Sequence, residues 1–283
     1  MNILRNALRR TARVAAGLLF VSPLVLLLGP RVANAYRPFD GTDGDVADTG
    51  EFELELGPLH YAQEGKEKFF LTPTVFNLGV IPRMELVFDF VPLYPQNGSA
   101  QVTDTDFFAK FLLRSGVLQG ESGPSIALET GPLIPEYNGQ KGFGASADLI
   151  VSEKYGWLTL HLNNEGQLSR QDLVFSYAAN LIGEFDIGSK IRPVAELGFE
   201  IEPSSGAKGY SGLGGVIWTV SDSVALDAAA RVGRLEAANT FEARLGLTWT
   251  VPVWGGEDED TQRPGEVGSK QDPGALLAKG NSK

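Results

Sequence analysis

The chain contains two histidines, His60 and His161, and these are the first residues to consider for catalysis. Hydrolysis by a serine nucleophile needs a histidine next to a hydroxyl and next to a carboxylate or amide. His161 has such groups close in sequence in Asn163, Glu165 and Ser169, but no nucleophile motif surrounds them. We therefore predict that His161 is an interfacial histidine and that the protein is not an enzyme, and we keep lipid hydrolysis as a third alternative.

Four aspartates near the N-terminus, Asp40, Asp43, Asp45 and Asp48, have a spacing similar to that of a calcium-binding loop. Such a loop needs glycine at its sixth position, and counting from Asp40 that position is an aspartate. The glycine-rich stretch 212–215 lies within a strand pattern and not between a strand and a helix, so it does not predict a phosphate site. We predict no metal and no cofactor, and we interpret the aspartates as a solvated acidic segment.

Most of the remaining charged residues alternate with apolar ones. In 241–253 the apolar face carries Phe241, Leu245 and Trp249, and the opposite face carries Glu242 and Arg244. A period of two indicates strands with one apolar and one polar face. The same alternation occurs at 51–56, 84–90, 107–114 and 191–202. These runs span about ten to thirteen residues, which is longer than the strands of most soluble sheets and close to the ~9 to 11 residues that cross a bilayer at a tilt.

The connectors between the runs differ in length. Short joints are expected at 79–83, 153–156 and 220–223, and longer polar loops at 62–68, 93–106, 134–141, 163–171 and 202–209. Transmembrane barrels have short periplasmic turns and longer external loops. Counting strands between these marks predicts an all-β fold, an antiparallel up-and-down transmembrane β-barrel of about 12 strands with both termini in the periplasm.

A soluble sandwich or a lipocalin-like fold has the same alternation and is the alternative. In hydrocarbon no unpaired edge is tolerated, so a membrane sheet closes on itself and turns its apolar face to lipid. Tyrosine and tryptophan near strand ends favour the membrane fold, because these residues concentrate at membrane interfaces. The residues in such positions are Tyr36, Tyr61, Tyr94, Tyr137, Tyr155, Trp157, Tyr177, Tyr210, Trp218 and Trp254.

In a barrel of this kind the polar strand faces surround the lumen. The lumen-lining candidates are Lys110, Arg114, Arg192, Glu196, Arg231, Glu242 and Arg244. Arg231 and Arg244 are expected to be close because their strands are consecutive. Further negative charge on the same faces comes from Glu53, Glu55, Glu85, Asp89 and Asp148. Such charges either line a water-filled path or pair into a plug that seals the barrel, and the sequence leaves both open.

The N-terminus has the features of a secretory signal peptide. Arginines precede an uncharged apolar run at 14–28, and small residues at 33–35 form a cleavage site. A single-pass membrane helix is the less favoured alternative, since the run is short and Pro23 interrupts it. We therefore assign 1–35 as a signal peptide, 36–49 as a periplasmic segment, 50–254 as an outer-membrane barrel and 255–283 as a disordered acidic tail.

Charge and cysteine content limit the possible partners. Cleavage removes five arginines and no acid, which takes the formal net charge from −11 to about −16. There is no basic patch with interleaved aromatic residues, so nucleic acid is not an expected partner. The chain has no cysteine, so neither disulfides nor thiolate metal sites hold the fold. The expected partners are outer-membrane lipid, the barrel-assembly machinery during biogenesis and a small-molecule solute, in the outer membrane of a Gram-negative bacterium.

Several short motifs resemble a known family. They are Arg37-Pro38-Phe39, Thr42-Asp43, GEFELELG at 50–57, GVIPRMEL at 79–86, the strand 106–113 with its central Lys110, and the alternating strand 241–249. Together they resemble the MetA-pathway of phenol degradation family, outer-membrane barrels described as transporters. The resemblance implies a barrel with a transport role and supplies no catalytic residues. Such barrels usually end on an aromatic residue of the last strand, whereas here about thirty residues follow Trp254, which makes the assembly signal an internal one.

Two main functions follow from these observations. The first is a porin-like channel or transporter for small solutes, including aromatic or hydrophobic ones, which predicts conductance in a planar bilayer. The second is a closed structural or adhesive barrel that acts through its external loops. It predicts no conductance, and binding that is lost when the loop 93–106 is deleted.

Overall fold

The computed structural model describes residues 37–188 and 190–254. The signal peptide assigned to 1–35, the tail assigned to 255–283 and Tyr36 lie outside the described residues. Within the described part no helix is long and apolar enough to cross a membrane, and a short 3-10 helix occupies Val117–Gln119. The strands are β1 (Glu51–Glu64), β2 (Glu67–Leu71), β3 (Thr74–Ile81), β4 (Met84–Pro95), β5 (Gln101–Arg114), β6 (Ser125–Leu133), β7 (Gly144–Tyr155), β8 (Leu158–Leu168), β9 (Phe175–Phe185), β10 (Ile191–Glu202), β11 (Ala207–Ser221), β12 (Val224–Leu235) and β13 (Ala238–Pro252).

The strands pair antiparallel in chain order, and the last strand returns to the first. β13 pairs with β1 from Glu51↔Pro252 to Glu64↔Thr240, which closes the sheet. β2 and β3 are two halves of one interrupted strand, because both lie between β1 and β4. The interruption falls at Pro73, which has no N–H to donate to the ladder. The thirteen elements therefore form a closed barrel of twelve strands, and the predicted fold class is confirmed.

The alternation along each strand separates an apolar outer face from a polar inner face. In β1 the glutamates Glu51, Glu53 and Glu55 are buried inside the barrel at 9%, 4% and 3% exposure. The apolar residues between them point outward, where the ring of Phe52 stacks on that of Phe76 at 5.9 Å. Charged groups thus face the lumen, as the period of two predicts.

The two ends of the barrel carry different connections. We call the end at which β1 begins and β13 ends the terminal end, and the opposite end the loop end. Connections at the terminal end are 82–83, 115–124, 156–157, 186–190 and 222–223, and those at the loop end are 65–66, 96–100, 134–143, 169–174, 203–206 and 236–237.

Some expected loop boundaries are wrong, because the strands pair almost to their tips. Residues 62–68 form a tight hairpin in which Glu64 pairs with Glu67. Most of 93–106 and of 163–171 is strand, so these loops shorten to 96–100 and 169–174. The connection 115–124 is among the longest and lies at the terminal end, where we expected short joints. The contrast between the two ends is therefore weaker than predicted.

Candidate functional site

Residues 37–50, which we call the N-terminal segment, lie inside the barrel. Their main chain and side chains bind inward-facing residues of β4, β5, β7, β8, β10, β12 and β13. The stretch 36–49, which the sequence assigns as a periplasmic segment, therefore has its described residues bound to the inner face of the barrel. The lumen is the candidate functional site, and the segment is its main occupant.

The segment begins against the wall formed by β10, β11 and β12. Arg37 Nε lies 3.5 Å from Asp227 Oδ2, with both side chains at least nine-tenths buried. The ring of Phe39 packs against an apolar cluster on the inner face, which consists of Val194, Ile217 and Ala225.

Asp40 then forms the centre of an ionic network. Its two carboxylate oxygens lie 2.9 Å from Arg231 Nη2 and 2.7 Å from Arg244 Nη2. Glu242 contacts both arginines from the wall, at 2.8 Å and 2.5 Å. His60 Nε2 lies 2.8 Å from Glu242 Oε2 on the other side. Arg231 and Arg244 are close, as expected. Two carboxylates bridge them, Asp40 from the segment and Glu242 from the wall.

Main-chain groups of the segment are bound by side chains of the wall. The N–H groups of Asp40 and Gly41 each donate to Glu196 at 3.0 Å. Thr42 N–H donates to Asn163 Oδ1, and Asn163 Nδ2 donates back to Thr42 O, each at 2.8 Å. Gly44 N–H donates to Ser152 Oγ at 2.8 Å. The barrel thus satisfies several main-chain polar groups of a segment that has no strand pairing, as burial of such groups requires.

Lys110 is fully buried, with 0% exposure, beside Thr42 and Asp43 of the segment. Its Nζ lies 3.4 Å from Glu85 Oε1 and 3.9 Å from Asp43 Oδ1, and it donates to Thr42 Oγ1 at 3.2 Å. Ala47 N–H donates to the other oxygen of Glu85 at 2.6 Å. A buried ammonium needs opposite charge and hydrogen-bond acceptors around it, and here the segment and the wall both supply them.

The segment leaves the lumen at the terminal end. Gln119 Nε2, in the connection 115–124, donates to Asp45 Oδ1 at 2.7 Å. Burial, with a smaller contribution from Asp43, raises the pKa of Asp45 to about 6. Gly50 N–H donates to Gly79 O at 2.8 Å, just before β1 begins.

Two of the predicted lumen residues lie away from the segment. Arg192 faces inward near the terminal end and pairs with Glu184 at 2.9 Å. Arg114 is exposed and does not line the lumen, because β5 is irregular between Leu112 and Arg114. Its guanidinium donates to the carbonyls of Pro124 and Ser122 and stabilises the connection 115–124.

The predicted grouping around His161 is not formed. His161 is buried at 2% exposure and faces the lumen, so the prediction of an interfacial histidine is wrong. Its Nδ1 lies 2.8 Å from Ser152 Oγ and its Nε2 lies 3.4 Å from Glu184 Oε1. This arrangement resembles a nucleophile–base–acid trio, but Ser152 has no exposed surface and its oxygen accepts the Gly44 N–H. The trio therefore acts here as support for the segment.

Glu165 and Ser169, the other members of that grouping, have separate partners. Ser146 Oγ donates to Glu165 Oε1 at 2.5 Å. Ser169 Oγ accepts the N–H of Val174 within the β8–β9 connection.

A second buried ionic contact with the inner wall lies at the loop end and is made by Arg170. This side chain of the β8–β9 connection is 6% exposed and binds Asp106 on β5 and, at 3.5 Å, Glu136 of the β6–β7 connection. Its Nε also donates to Ile134 O at 2.9 Å. Arg170 thus ties two loop-end connections to the inner wall.

A polar cavity of about 290 Å³ lies at the loop end. It is lined by the inner faces of β8 to β12, including Glu165, Gln167, Ser176 and Glu200. Within 37–188 and 190–254, no group of three or more histidines and carboxylates is arranged to hold a metal ion.

Solved structures share this fold. The COG4313 outer membrane channel from Pseudomonas putida F1 matches with a TM-score of 0.59 and 10% identity, over 75% of this chain and 100% of that one. The NanC porin matches with a TM-score of 0.52 and 6% identity, over 70% of this chain and 98% of that one. No family model and no curated protein matches the sequence. At such low identity the likeness establishes the barrel fold alone.

Proposed function

We propose that this protein is an outer-membrane channel for small solutes, closed by its N-terminal segment and open when that segment leaves the lumen. The observation that carries the proposal is that inward-facing polar groups of the strands bind the N-terminal segment, which is not itself part of the sheet. Glu196, Asn163, Ser152 and Glu85 all accept hydrogen bonds from N–H groups of the segment. A barrel that is permanently sealed by its own wall has no need of such a piece.

The placement in an outer membrane is supported by the outer face of the barrel. Large apolar side chains such as Leu197, Val232 and Leu245 are 64%, 61% and 47% exposed there. In water such a surface would be unfavourable, whereas against lipid it is the expected one. Both described termini of the barrel lie at one end, which in bacterial barrels is the periplasmic end. The solved structures of similar fold include an outer membrane channel and a porin.

The contacts that hold the segment are mainly polar, so water can replace them when the segment leaves the lumen. Apart from the packing of Phe39, the contacts described above are hydrogen bonds and ion pairs. A hydrogen bond between neutral groups has a net value of about 0.5 to 1.5 kcal/mol, and one to a charged group about 1.5 to 3 kcal/mol, because water replaces the partner when the segment leaves. A set of such contacts holds a closed state and still permits a minor open one.

Membership of the MetA-pathway of phenol degradation family stays a prediction, and with it the expectation of aromatic or hydrophobic solutes. The closed structural or adhesive barrel is the competing function, since an occupied lumen suits it as well. The connection 96–100 is what remains of the loop assigned to that function.

Single-channel recording in a planar bilayer tests the proposal. We expect brief, infrequent steps from the protein and long-lived steps from a variant that lacks residues 37–48. The changes Arg231→Glu and Arg244→Glu should shift the ion selectivity of the steps in that variant. A folded, inserted variant that stays silent without the segment would contradict the channel function and favour the closed barrel.

A further inference from the structure

Phe39 and Asp40 are consecutive residues of the N-terminal segment that place an aromatic ring and a carboxylate in the lumen. We propose that these two residues occupy a binding site for a small aromatic carboxylate, and that such a solute displaces them on its way through the barrel. The inference rests on the channel function proposed above and names the class of solute.

The carboxylate of Asp40 is held as a bound anion would be held. Each of its oxygens meets a different guanidinium, Oδ2 with Arg231 at 2.9 Å and Oδ1 with Arg244 at 2.7 Å. Charge-assisted contacts of this kind from guanidinium groups are among the strongest that proteins use for carboxylates. Asp40 is thus the stand-in for a solute carboxylate.

Wall residues hold both arginines, and Arg244 has one further contact from the segment, because its Nη1 donates to Pro38 O at 2.8 Å. Arg231 donates to Glu242 at 2.8 Å and to Ser211 Oγ at 3.0 Å. Arg244 Nε donates to Glu242 at 2.9 Å. Both guanidinium groups therefore keep their orientation when Asp40 leaves, and a preorganised site loses little entropy on binding.

An apolar surface for the ring is the one that Phe39, the residue before Asp40, covers. Phe39 packs on Val194, Ile217 and Ala225, which are 4%, 0% and 1% exposed and face inward. These three residues form one of the two buried apolar clusters in the described part of the chain, the other being Val87, Phe108 and Leu133. A ring that replaces Phe39 recovers the same burial.

The site can be reached from the loop end. The side chains of Arg231 and Asp40 are 26% and 29% exposed, whereas that of Arg244, deeper in the barrel, is 5% exposed. Ser211, which binds Arg231, lies on β11 two residues from Gly209, and Gly209 pairs with Glu200 in the wall of the loop-end cavity. A solute in that cavity therefore meets Arg231 first.

The local charge selects a monocarboxylate. Asp40 and Glu242 contact both arginines, while Glu196 acts on Arg244 and Glu200 on Arg231 by charge alone, so loss of Asp40 removes one negative charge from the pair. A monocarboxylate restores that charge, and a neutral aromatic alcohol does not. Loss of a carboxylate partner destabilises the buried Arg244 and the partly buried Arg231, and a neutral compound does not offset that loss.

Equilibrium dialysis of detergent-solubilised full-length protein tests the inference, with 3-phenylpropanoate as the probe and 3-phenylpropan-1-ol as its neutral match. Asp40→Asn removes the internal competitor, and we expect it to tighten binding of the acid by roughly tenfold. Phe39→Ala should tighten binding in the same direction. Arg231→Gln, combined with Asp40→Asn, should reverse the gain.

Two control variants separate the site from general charge. Glu200→Gln also removes a lumen carboxylate but leaves the arginine pair occupied, so its gain should be much smaller than that of Asp40→Asn. Arg192→Gln removes an inward arginine that pairs with Glu184 instead, and it should leave binding unchanged. Heat-modifiable mobility on a gel verifies that each variant is folded.

The inference is contradicted if acid and alcohol bind alike, or if Asp40→Asn gives no more gain than Glu200→Gln. Because binding is measured without a membrane, its failure is distinct from the failure of the channel function. Conductance without selective binding overturns the inference alone, and binding without conductance overturns the channel alone.

Discussion

Asn163 and Thr42 are joined by two reciprocal hydrogen bonds of 2.8 Å, one from the Thr42 N–H to the side-chain oxygen of Asn163 and one from its side-chain nitrogen to Thr42 O. Asn163 is 1% exposed and lies near the middle of β8. An amide that satisfies the main chain of a segment 121 residues away in sequence is a specific anchor, not a packing contact.

The first prediction concerns this anchor. Asn163→Leu keeps the size of the side chain and removes both hydrogen bonds, so the closed state should lose about 2 kcal/mol and the open probability should rise at least tenfold. Single-channel recording measures the rise. Asn164→Leu is the matched control, because Asn164 lies next along β8 on the outer face, where it accepts a hydrogen bond from Tyr177. Equal effects of the two changes would rule out the anchor.

The second prediction concerns the exit of the segment. A Cβ added at Gly79 would lie 2.1 Å from the carbonyl oxygen of Asp48, so Gly79→Ala must push the segment away from β3. We expect faster cleavage within 37–50 by an added protease, measured by limited proteolysis and N-terminal sequencing. A Cβ at Gly214 meets nothing within 4 Å. The protease should therefore cleave the Gly214→Ala variant at the same rate as the unchanged protein. An unchanged rate for Gly79→Ala would contradict the prediction.

The third prediction concerns pH. Burial raises the pKa of Asp45 from 3.8 to about 6 in the closed state, so the closed state binds this proton more tightly than the open one. The resulting stabilisation of closure is fully present below pH 3.8 and is lost as the pH rises through about 6. Open probability should therefore fall between pH 7.5 and pH 5.

Asp45→Asn provides the comparison for that titration. The variant lacks the carboxyl group and keeps an amide of the same size, so its pH dependence over this range should be weaker than that of the unchanged protein. A steeper or identical dependence would show that Asp45 does not contribute.

The fourth prediction concerns the loop end. Arg170→Ala leaves Asp106 and Glu136 without their shared cation, and loss of one partner of a buried ionic group costs about 3 to 5 kcal/mol. Urea unfolding in detergent should show a loss of this size. Arg234 donates to an exposed carbonyl at Glu236, and Arg234→Ala should change the unfolding free energy little. Similar losses from both variants would contradict the role of Arg170.

The barrel could be predicted from the sequence because its determinants are local. The alternation at 51–56 and at 241–253 fixes which side chains face inward, and closure follows from the need to leave no edge in lipid. The inward positions of Lys110, Glu196 and Arg244 follow from the same period of two. Arg114 departs from it because an irregularity after Leu112 turns the end of β5 outward.

The position of the N-terminal segment inside the barrel could not be predicted, because its contacts are with residues distant in sequence. Asp40 and Asp43 are part of an acidic segment that resembles any solvated tail, and their partners come from strands far along the chain. Arg170 lies in a loop, where no alternation of apolar and polar residues indicates whether its side chain points inward or outward.

A reversible lock on the segment tests the central claim most directly. The chain has no cysteine, and a Cβ at Gly44 would lie 3.0 Å from Ser152 Oγ, the position that a sulfur would take, so Gly44→Cys with Ser152→Cys should form a disulfide. We predict that the oxidised protein is silent in a planar bilayer and that dithiothreitol restores steps, with each single variant insensitive to the reductant. Steps of equal size and frequency before and after reduction would contradict the claim that the N-terminal segment closes the channel.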